Sequence, residues 1–264
     1  MSEIEPDRQV PTYESEVFQP RNSAVALVIP VINEGKRLLG QLDAIAALAP
    51  PVDIIIADGG SNDGSTDATQ LEPRRVRACL TKTGPGKLSA QLRMAYAWAL
   101  EQGYEAIITM DGNGKDGVDG IQRILDKLEA GFGYVQGSRY SRGGRAINTP
   151  LSRWIAGRFI HAPLVSLAAR HWFTDTTNGF RGYSSAFLAD PGVRPFRNIF
   201  MRYSLLFYLS VRASQLGYKV TEVGVTRTYP DSGAVPTKIN GFRGKLDLLG
   251  ELFGAVTRRY HPKN

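Results

Sequence analysis

The chain has 264 residues, of which 42% are hydrophobic, and a formal charge of +7. That length suits one sizeable domain with a small appendage, and a single cysteine, Cys79 in an apolar run, excludes an internal disulfide and reads as a buried thiol. The surplus of arginine and lysine points to an anionic partner: a nucleotide, a phospholipid surface or a nucleic acid. Nucleic acid is the weakest of these, because aromatic residues do not interleave with the arginines at any stacking spacing.

The polar, acidic start MSEIEPDRQ lacks the pattern of a secretory leader. Residues 1–22 have no apolar periodicity and are expected to form an extended arm. Ala24–Ile29 reads as a buried strand closed by Pro30, after which Asn33 can cap a helix carrying Leu38, Leu39, Leu42 and Ile45. Val52–Ala57 is a second buried strand and ends in DGGSNDG, Asp58–Gly64. Val76–Leu80 is a third, followed by Gly84-Pro85-Gly86-Lys87 and a helix bearing Leu88, Leu92, Ala95 and Ala99. Ala106–Met110 is the fourth; Asp111, Gly112 and Gly114 end it, and Ile121, Ile124, Leu125 and Leu128 mark the next helix. Strands alternating with helices predict an α/β fold with a mostly parallel sheet covered on both faces.

Beyond Gly131 the regularity loosens. Tyr134–Tyr140 reads as a strand ending in a polar turn, and Leu151–Phe173 as a long helical stretch interrupted by Pro163. Its longest uncharged run, Phe159–Ala169, is far short of the roughly 20 residues that span a bilayer, so a cytoplasmic protein is expected. Asp175–Tyr183 is polar and turn-rich, Arg202–Leu216 helical, Tyr218–Val225 a strand and Thr228–Lys238 a loop. Gly241–Tyr260 reads as a last amphipathic helix. Phe242, Leu246, Leu249 and Phe253 fall on one of its faces, with Arg243, Lys245, Arg258 and Arg259 nearby, as in an ordinary packed helix or a peripheral contact with anionic lipid.

Polar groups therefore stand at four strand ends: Asn33-Glu34, Asp58, Lys87 and Asp111. An isolated acid at a strand end is usually a turn or helix cap, but four such loops on one sheet edge point to a ligand site. Three other motifs fail. Gly86-Lys87 is not a P-loop, because Thr81 and Leu88 stand where glycine and Ser/Thr belong. Asp111–Gly120 is not a calcium loop, because Lys115 takes a ligand position and a strand precedes it. No GxGxxG follows the first strand.

The ordered motifs VIPVINE (Val28–Glu34), ADGGSND (Ala57–Asp63), MDGN (Met110–Asn113), QGSRY (Gln136–Tyr140) and DTTNGFR (Asp175–Arg181) resemble family-2 glycosyltransferases of the GT-A fold, nearest to the dolichyl-phosphate mannose synthase-like branch. The resemblance covers about Ala24–Val225. It implies that Pro30 and Glu34 line a nucleotide pocket, that Asp58 bonds the base or ribose, and that Lys87 lies near the nucleotide. It sets Asp111 and Asn113 at the positions that hold Mg²⁺ or Mn²⁺ on a sugar diphosphate. Arg139 and Arg153 match arginines that meet the acceptor phosphate or the diphosphate. Asp175 and Arg181 belong to the loop closing the sugar end, and Lys238, after Thr237, falls where the family keeps a mobile Ser-Lys. This sequence departs from the pattern at Gly59 and Asn113, where acids are usual.

The expectation is an inverting glycosyltransferase: an arm over 1–22, a GT-A domain over 23–239 and a basic amphipathic helix over 240–264. It moves a sugar from a nucleotide-diphospho-sugar to a polyprenyl-type lipid phosphate, on the inner face of a membrane. An acceptor phosphate is already anionic and needs no strong base, which suits a chain whose three histidines lie outside every motif. A glycan or metabolite hydroxyl would need a carboxylate base, for which Asp175 is the candidate. A catalytically silent nucleotide-sugar binder is the reading from another class. Lys115 or Asp116 is placed to supplement a weakened metal site, the first as a flexible ammonium at the diphosphate and the second by swinging in as the missing acid.

Overall fold

A computed structural model describes residues 8–230 and 241–262. In chain order they form β1 (Tyr13–Val17), β2 (Val25–Val31), α1 (Lys36–Leu48), β3 (Asp53–Asp58), α2 (Ala68–Leu71), β4 (Val76–Lys82), α3 (Leu88–Glu101), β5 (Ala106–Thr109), α4 (Gly120–Glu129) and β6 (Tyr134–Ser138). There follow β7 (Arg145–Ile147), α5 (Leu151–Ala156), a π turn (Gly157–His161), α6 (Ala162–Ala169), β8 (Arg181–Ser184), α7 (Ser185–Leu188), α8 (Ser204–Gln215), β9 (Val220–Gly224), β10 (Thr226–Thr228) and α9 (Gly241–Val256).

Eight strands make one sheet in the order β1-β4-β3-β2-β5-β8-β6-β9. β4, β3, β2 and β5 are parallel, as their unbroken Val/Ile/Leu runs require when both faces are covered. Along β2 and β3 alternate side chains enter two cores. Leu27, Ile29, Ile54 and Ile56 meet α1 and α4 on one face; Ala26, Val28, Ile55 and Ala57 meet α3 and α8 on the other.

Two antiparallel strands went unread in the sequence. β1, within the segment expected as an arm, pairs with β4 at the sheet edge. β8 lies inside the segment expected as turns and pairs with β5 and β6. Its glycine is the reason: a Cβ on Gly182 would stand 2.5 Å from Ile124 Cγ2, so the sheet needs there the residue that reads as a turn. Pro163 does not interrupt its helix either. The π turn, closed by Ala162 N–H to Gly157 O, runs into α6, and the missing N–H of Pro163 falls in the first turn, where none is needed.

The stripe expected to organise α9 is not the face that packs. Leu252 and Ala255 are buried with Leu248 and Leu249 beside them, whereas Leu246 and Phe253 are exposed. The side chain of Phe242, together with Thr237, Lys238 and most of the expected loop, lies outside the described residues.

Arg181, expected at the sugar end, is instead a fully buried part of β8. It donates to Asn178 O at 2.9 Å, Leu206 O at 2.6 Å, Thr176 O at 2.9 Å and Ser210 Oγ at 3.0 Å, tying the 174–180 loop to α8. Replacing it with leucine strands several buried acceptors, so Arg181→Leu is expected to cost on the order of 3 kcal/mol of stability in urea unfolding. Wild-type stability with a changed sugar preference would return it to the substrate loop.

Candidate active site

The loops after β2 and β5 diverge because the strand order reverses between these two neighbours. Such a switch point opens a crevice at the carboxyl ends of the strands. On one wall, Asn33 Oδ1 accepts from Asn62 N–H at 2.8 Å and Ser61 Oγ accepts from Asn33 N–H at 3.0 Å, so the loops after β2 and β3 are stitched together. Asp58 is buried beneath them and accepts from Ser61 N–H at 3.0 Å and Ser61 Oγ at 2.6 Å. Its carboxylate shapes the turn before it can serve a ligand. Glu34 pairs with Arg37 at 2.8 Å. Lys87 is exposed at the start of α3, and Pro30 O accepts from Gly112 N–H at 3.4 Å across the crevice floor.

Gln91 of α3 clasps this wall from below. Its Nε2 donates to Val31 O at 2.8 Å and Ala57 O at 2.9 Å, at the ends of β2 and β3. A Cβ on Gly59 would stand 2.9 Å from that nitrogen. The missing acid at Gly59 thus makes room for a buried amide.

The opposite wall is electrostatic. Arg227, from β10, donates through Nη2 to Asp111 Oδ2 at 2.9 Å and through Nη1 to Asp116 Oδ2 at 2.6 Å. Burial alone would raise the Asp111 carboxyl, but the Arg227 guanidinium holds it below the usual carboxylate range. Burial pushes Asp116 up to about 6 against the pull of Arg227, with Asp111 adding to the rise. Asp116 is wholly enclosed and cannot swing out as a metal ligand, which corrects that expectation.

Tyr229 gathers the other cations. Lys115 lies over its ring at 5.2 Å, Arg153 at 5.6 Å and Arg227 at 5.9 Å. The negative face of a phenol ring suits such a cluster. Burial would raise the Tyr229 hydroxyl, but Arg227, Arg139 and Arg153 together lower it. Lys115 is buried against this ring, not flexible as expected, and burial beside Arg227 lowers its ammonium.

Arg139 and Asp175 come together as the most enclosed ion pair among the described residues, with side chains 4% and 1% exposed. Arg139 donates through Nε to Asp175 Oδ2 at 2.7 Å and through Nη2 to Oδ1 at 2.9 Å. The Arg139 guanidinium and hydrogen bonds hold the Asp175 carboxyl low despite burial, which acts the other way. Glu222 braces the same loop by accepting from Thr174 and Asp175 N–H. In this structure Asp175 is engaged by Arg139 and not open to the crevice, and Arg139 turns its fork inward to the same pair.

Among the described residues no three acidic, histidine or cysteine side chains converge as a metal cage. Asp111 is the nearest to a ligand. Its Oδ1 lies against Gly179, where a Cβ would stand 2.4 Å away, so the missing side chain keeps that oxygen clear. Asn113 Nδ2 sits 3.5 Å from Asp111 Oδ2, and its amide oxygen accepts from Lys115 N–H at 3.3 Å, which leaves one lone pair of that neutral oxygen for a cation. One carboxylate and one amide oxygen fit a hard divalent cation only when phosphate oxygens and water complete its shell.

The family model for glycosyl transferase family 2 matches residues 26–192, which hold the wall built by the loops after β2 and β3 and both acids of the β5 loop. The chain belongs to glycosyl transferase family 2. This family-2 enzyme is 27% identical over 219 residues to the polyprenol monophosphomannose synthase of Mycolicibacterium smegmatis, covering 81% of this chain and 80% of that protein. It is likewise 27% identical over 241 residues to the undecaprenyl-phosphate mannosyltransferase of Micrococcus luteus, covering 89% and 93%. A structure of glucosyl-3-phosphoglycerate synthase from Mycobacterium tuberculosis, with Mn²⁺, uridine diphosphate and phosphoglyceric acid, superposes with a TM-score of 0.58 at 17% identity. That match covers 88% of this chain and 75% of the other, and its fold is the GT-A fold seen here.

Sequence reasoning missed Gln91, Glu222, Arg227 and Tyr229. Arg227 sits on the three-residue strand β10 and Tyr229 just past its end, a span too brief for periodicity to register.

The Arg139–Asp175 pair gives a pH test. Asp175 titrates below its ordinary value of about 3.9 in the folded state, so the pair's contribution is complete above about pH 4 and is lost as pH falls through the lowered value. Asp175→Asn leaves a buried guanidinium uncompensated and is expected to lose about 3–5 kcal/mol at neutral pH. The gap from wild type in urea unfolding should close on acidification; a gap that ignores pH would mean that ionisation of Asp175 contributes nothing.

Proposed function

We propose that this family-2 enzyme transfers a sugar, with inversion, from a nucleoside-diphosphate donor to a polyprenyl phosphate at the cytoplasmic face of a membrane. Residues 23–239 form its catalytic domain in this reading. The observation that carries it is the charge arrangement opposite the nucleotide wall. Lys115, Arg153 and Arg227 share the Tyr229 ring, while Asp175 and Asp116 are enclosed in ion pairs. A site rich in cations and without a poised carboxylate base suits an acceptor that arrives already ionised. The named activities of the Mycolicibacterium and Micrococcus relatives support the same acceptor class.

In this mechanism Pro30, Glu34, Asp58 and Lys87 hold the nucleotide end of the donor in the crevice. An acceptor phosphate oxygen attacks the anomeric carbon from the side of Arg153, the carbon–oxygen bond to the diphosphate breaks, and nucleoside diphosphate leaves. No proton need move. Positive charge grows on the sugar and negative charge on the leaving group, and fixed cations nearby stabilise the second without reorganising. Mg²⁺ or Mn²⁺, held by Asp111 and Asn113, would supply further charge neutralisation at the diphosphate.

Arg153→Ala should cut transfer to a short-chain prenyl phosphate by roughly 10–100-fold, the effect of one charge-assisted hydrogen bond, with donor affinity nearly unchanged. Transfer to a soluble sugar hydroxyl, indifferent to Arg153→Ala, would replace this reading with a hydroxyl acceptor. Nucleoside diphosphate binding without turnover of any donor would leave a binding protein.

The metal has its own test. Calorimetry should detect little Mg²⁺ or Mn²⁺ binding to the protein alone and clear binding once nucleoside diphosphate is present, and Asp111→Asn should abolish the increment. Equal nucleoside diphosphate affinity with chelator and with metal would remove Asp111 and Asn113 from the ligand role.

A further inference from the structure

The helical segment that carries Arg153 is apolar on both sides. Gly157, His161, Val165 and Ala169 recur every four residues and are all buried, so the side facing the domain is complete. The outward side is apolar too. Leu151, Ile155 and Phe159 form a second stripe at the same spacing, and the Trp154 ring meets Phe159 edge-on at 5.6 Å. Phe159 is 66% exposed, Leu167 80% and Trp172 72%. Single exposed apolar residues are ordinary, but a ridge of them on one element marks a surface that meets something.

The charge around the ridge identifies what it meets. From Tyr140 to Thr174 there are five arginines and no acid. Arg142, Arg145 and Arg170, which precede and follow the ridge in the chain, are exposed. Tryptophan and leucine on one face with arginines at its margins is the composition of an element lying in a membrane interface. Among the described residues no helix is long and apolar enough to cross a bilayer, so the contact is with its surface.

We propose that α5, the π turn and α6 form the face by which this protein rests on an anionic bilayer. This deepens the polyprenyl-phosphate reading and rests on it for the purpose of the contact. The ridge lies outside while Arg153, on the same helix, reaches in over Tyr229 at 5.6 Å. A lipid phosphate meeting Arg153 would thus keep its hydrocarbon along the ridge and in the membrane. Leu246 and Phe253 of α9 are also exposed, on a different helix from the ridge.

The test uses the full chain and vesicles of phosphatidylcholine with or without phosphatidylglycerol, read by flotation and by tryptophan emission. Wild type is expected to float with the anionic vesicles, with blue-shifted emission, and to bind neutral ones at least tenfold more weakly. Phe159→Glu and Leu167→Glu should each weaken binding at least tenfold, with thermal unfolding and nucleoside diphosphate affinity unchanged. Wild type that ignores vesicles, or loss of binding in Phe253→Glu but not in Phe159→Glu, would overturn the assignment. A concentration-dependent dimer abolished by Phe159→Glu, with no vesicle binding, would make the ridge a subunit contact and also overturn it. Vesicle binding as expected, with no transfer to any prenyl phosphate, would uphold the surface and defeat the acceptor reading alone.

Discussion

Asp116 is enclosed, Asp111 stands beside it at the edge of the crevice, and one guanidinium lies between them. Two carboxylates so placed would drive each other towards protonation. Arg227 is the cation suited to prevent it, since it stays charged in any protein and its planar fork can serve two acids at once. The loop after β5 therefore keeps its shape only while β10 is docked against it. Asp116 is spent on that docking, and Asp111, with its Oδ1 towards Gly179, is the acid left at the crevice. Tyr229, two residues on, extends the arrangement by giving Lys115 and Arg153 an aromatic face to rest on.

The second buried pair does the same work one layer away. Arg139 ends β6, Asp175 begins the loop that leads to β8, and their fork-to-fork contact fixes how that loop crosses the site. Glu222 on β9 holds the other side of the loop through Thr174 and Asp175. Carboxylates near the chemistry are thus occupied in building it. The proposed catalysis by fixed charge would draw on that construction, because the cations are already desolvated and oriented in the folded protein.

The parallel half of the sheet was plain in the sequence because each strand is a short apolar run ending in glycine or an acid. The family motifs likewise marked the crevice through Asp58, Asp111 and Arg153. What stayed hidden depends on contacts between distant segments. β8 is spelled with residues that ordinarily make turns, and only the helix packed over Gly182 explains them. Arg181 and Arg139 read as arginines turned towards substrate, since nothing local reveals that neutral carbonyls await the one and a buried carboxylate the other. Arg227 lies 116 residues from Asp111, beyond the reach of any spacing argument.

That separation has a consequence for how the enzyme comes into being. Synthesis proceeds from the N-terminus, and the strands that form the nucleotide wall are complete long before β10 leaves the ribosome. Until it does, Asp111 and Asp116 face each other without their cation, and Arg153 has no ring to rest on. Long-range contacts close late because the chain must first lose the freedom of the loop between them. A nascent chain can thus hold one folded wall of the crevice before it holds the charged cluster opposite, and the last short strand to arrive completes the pair.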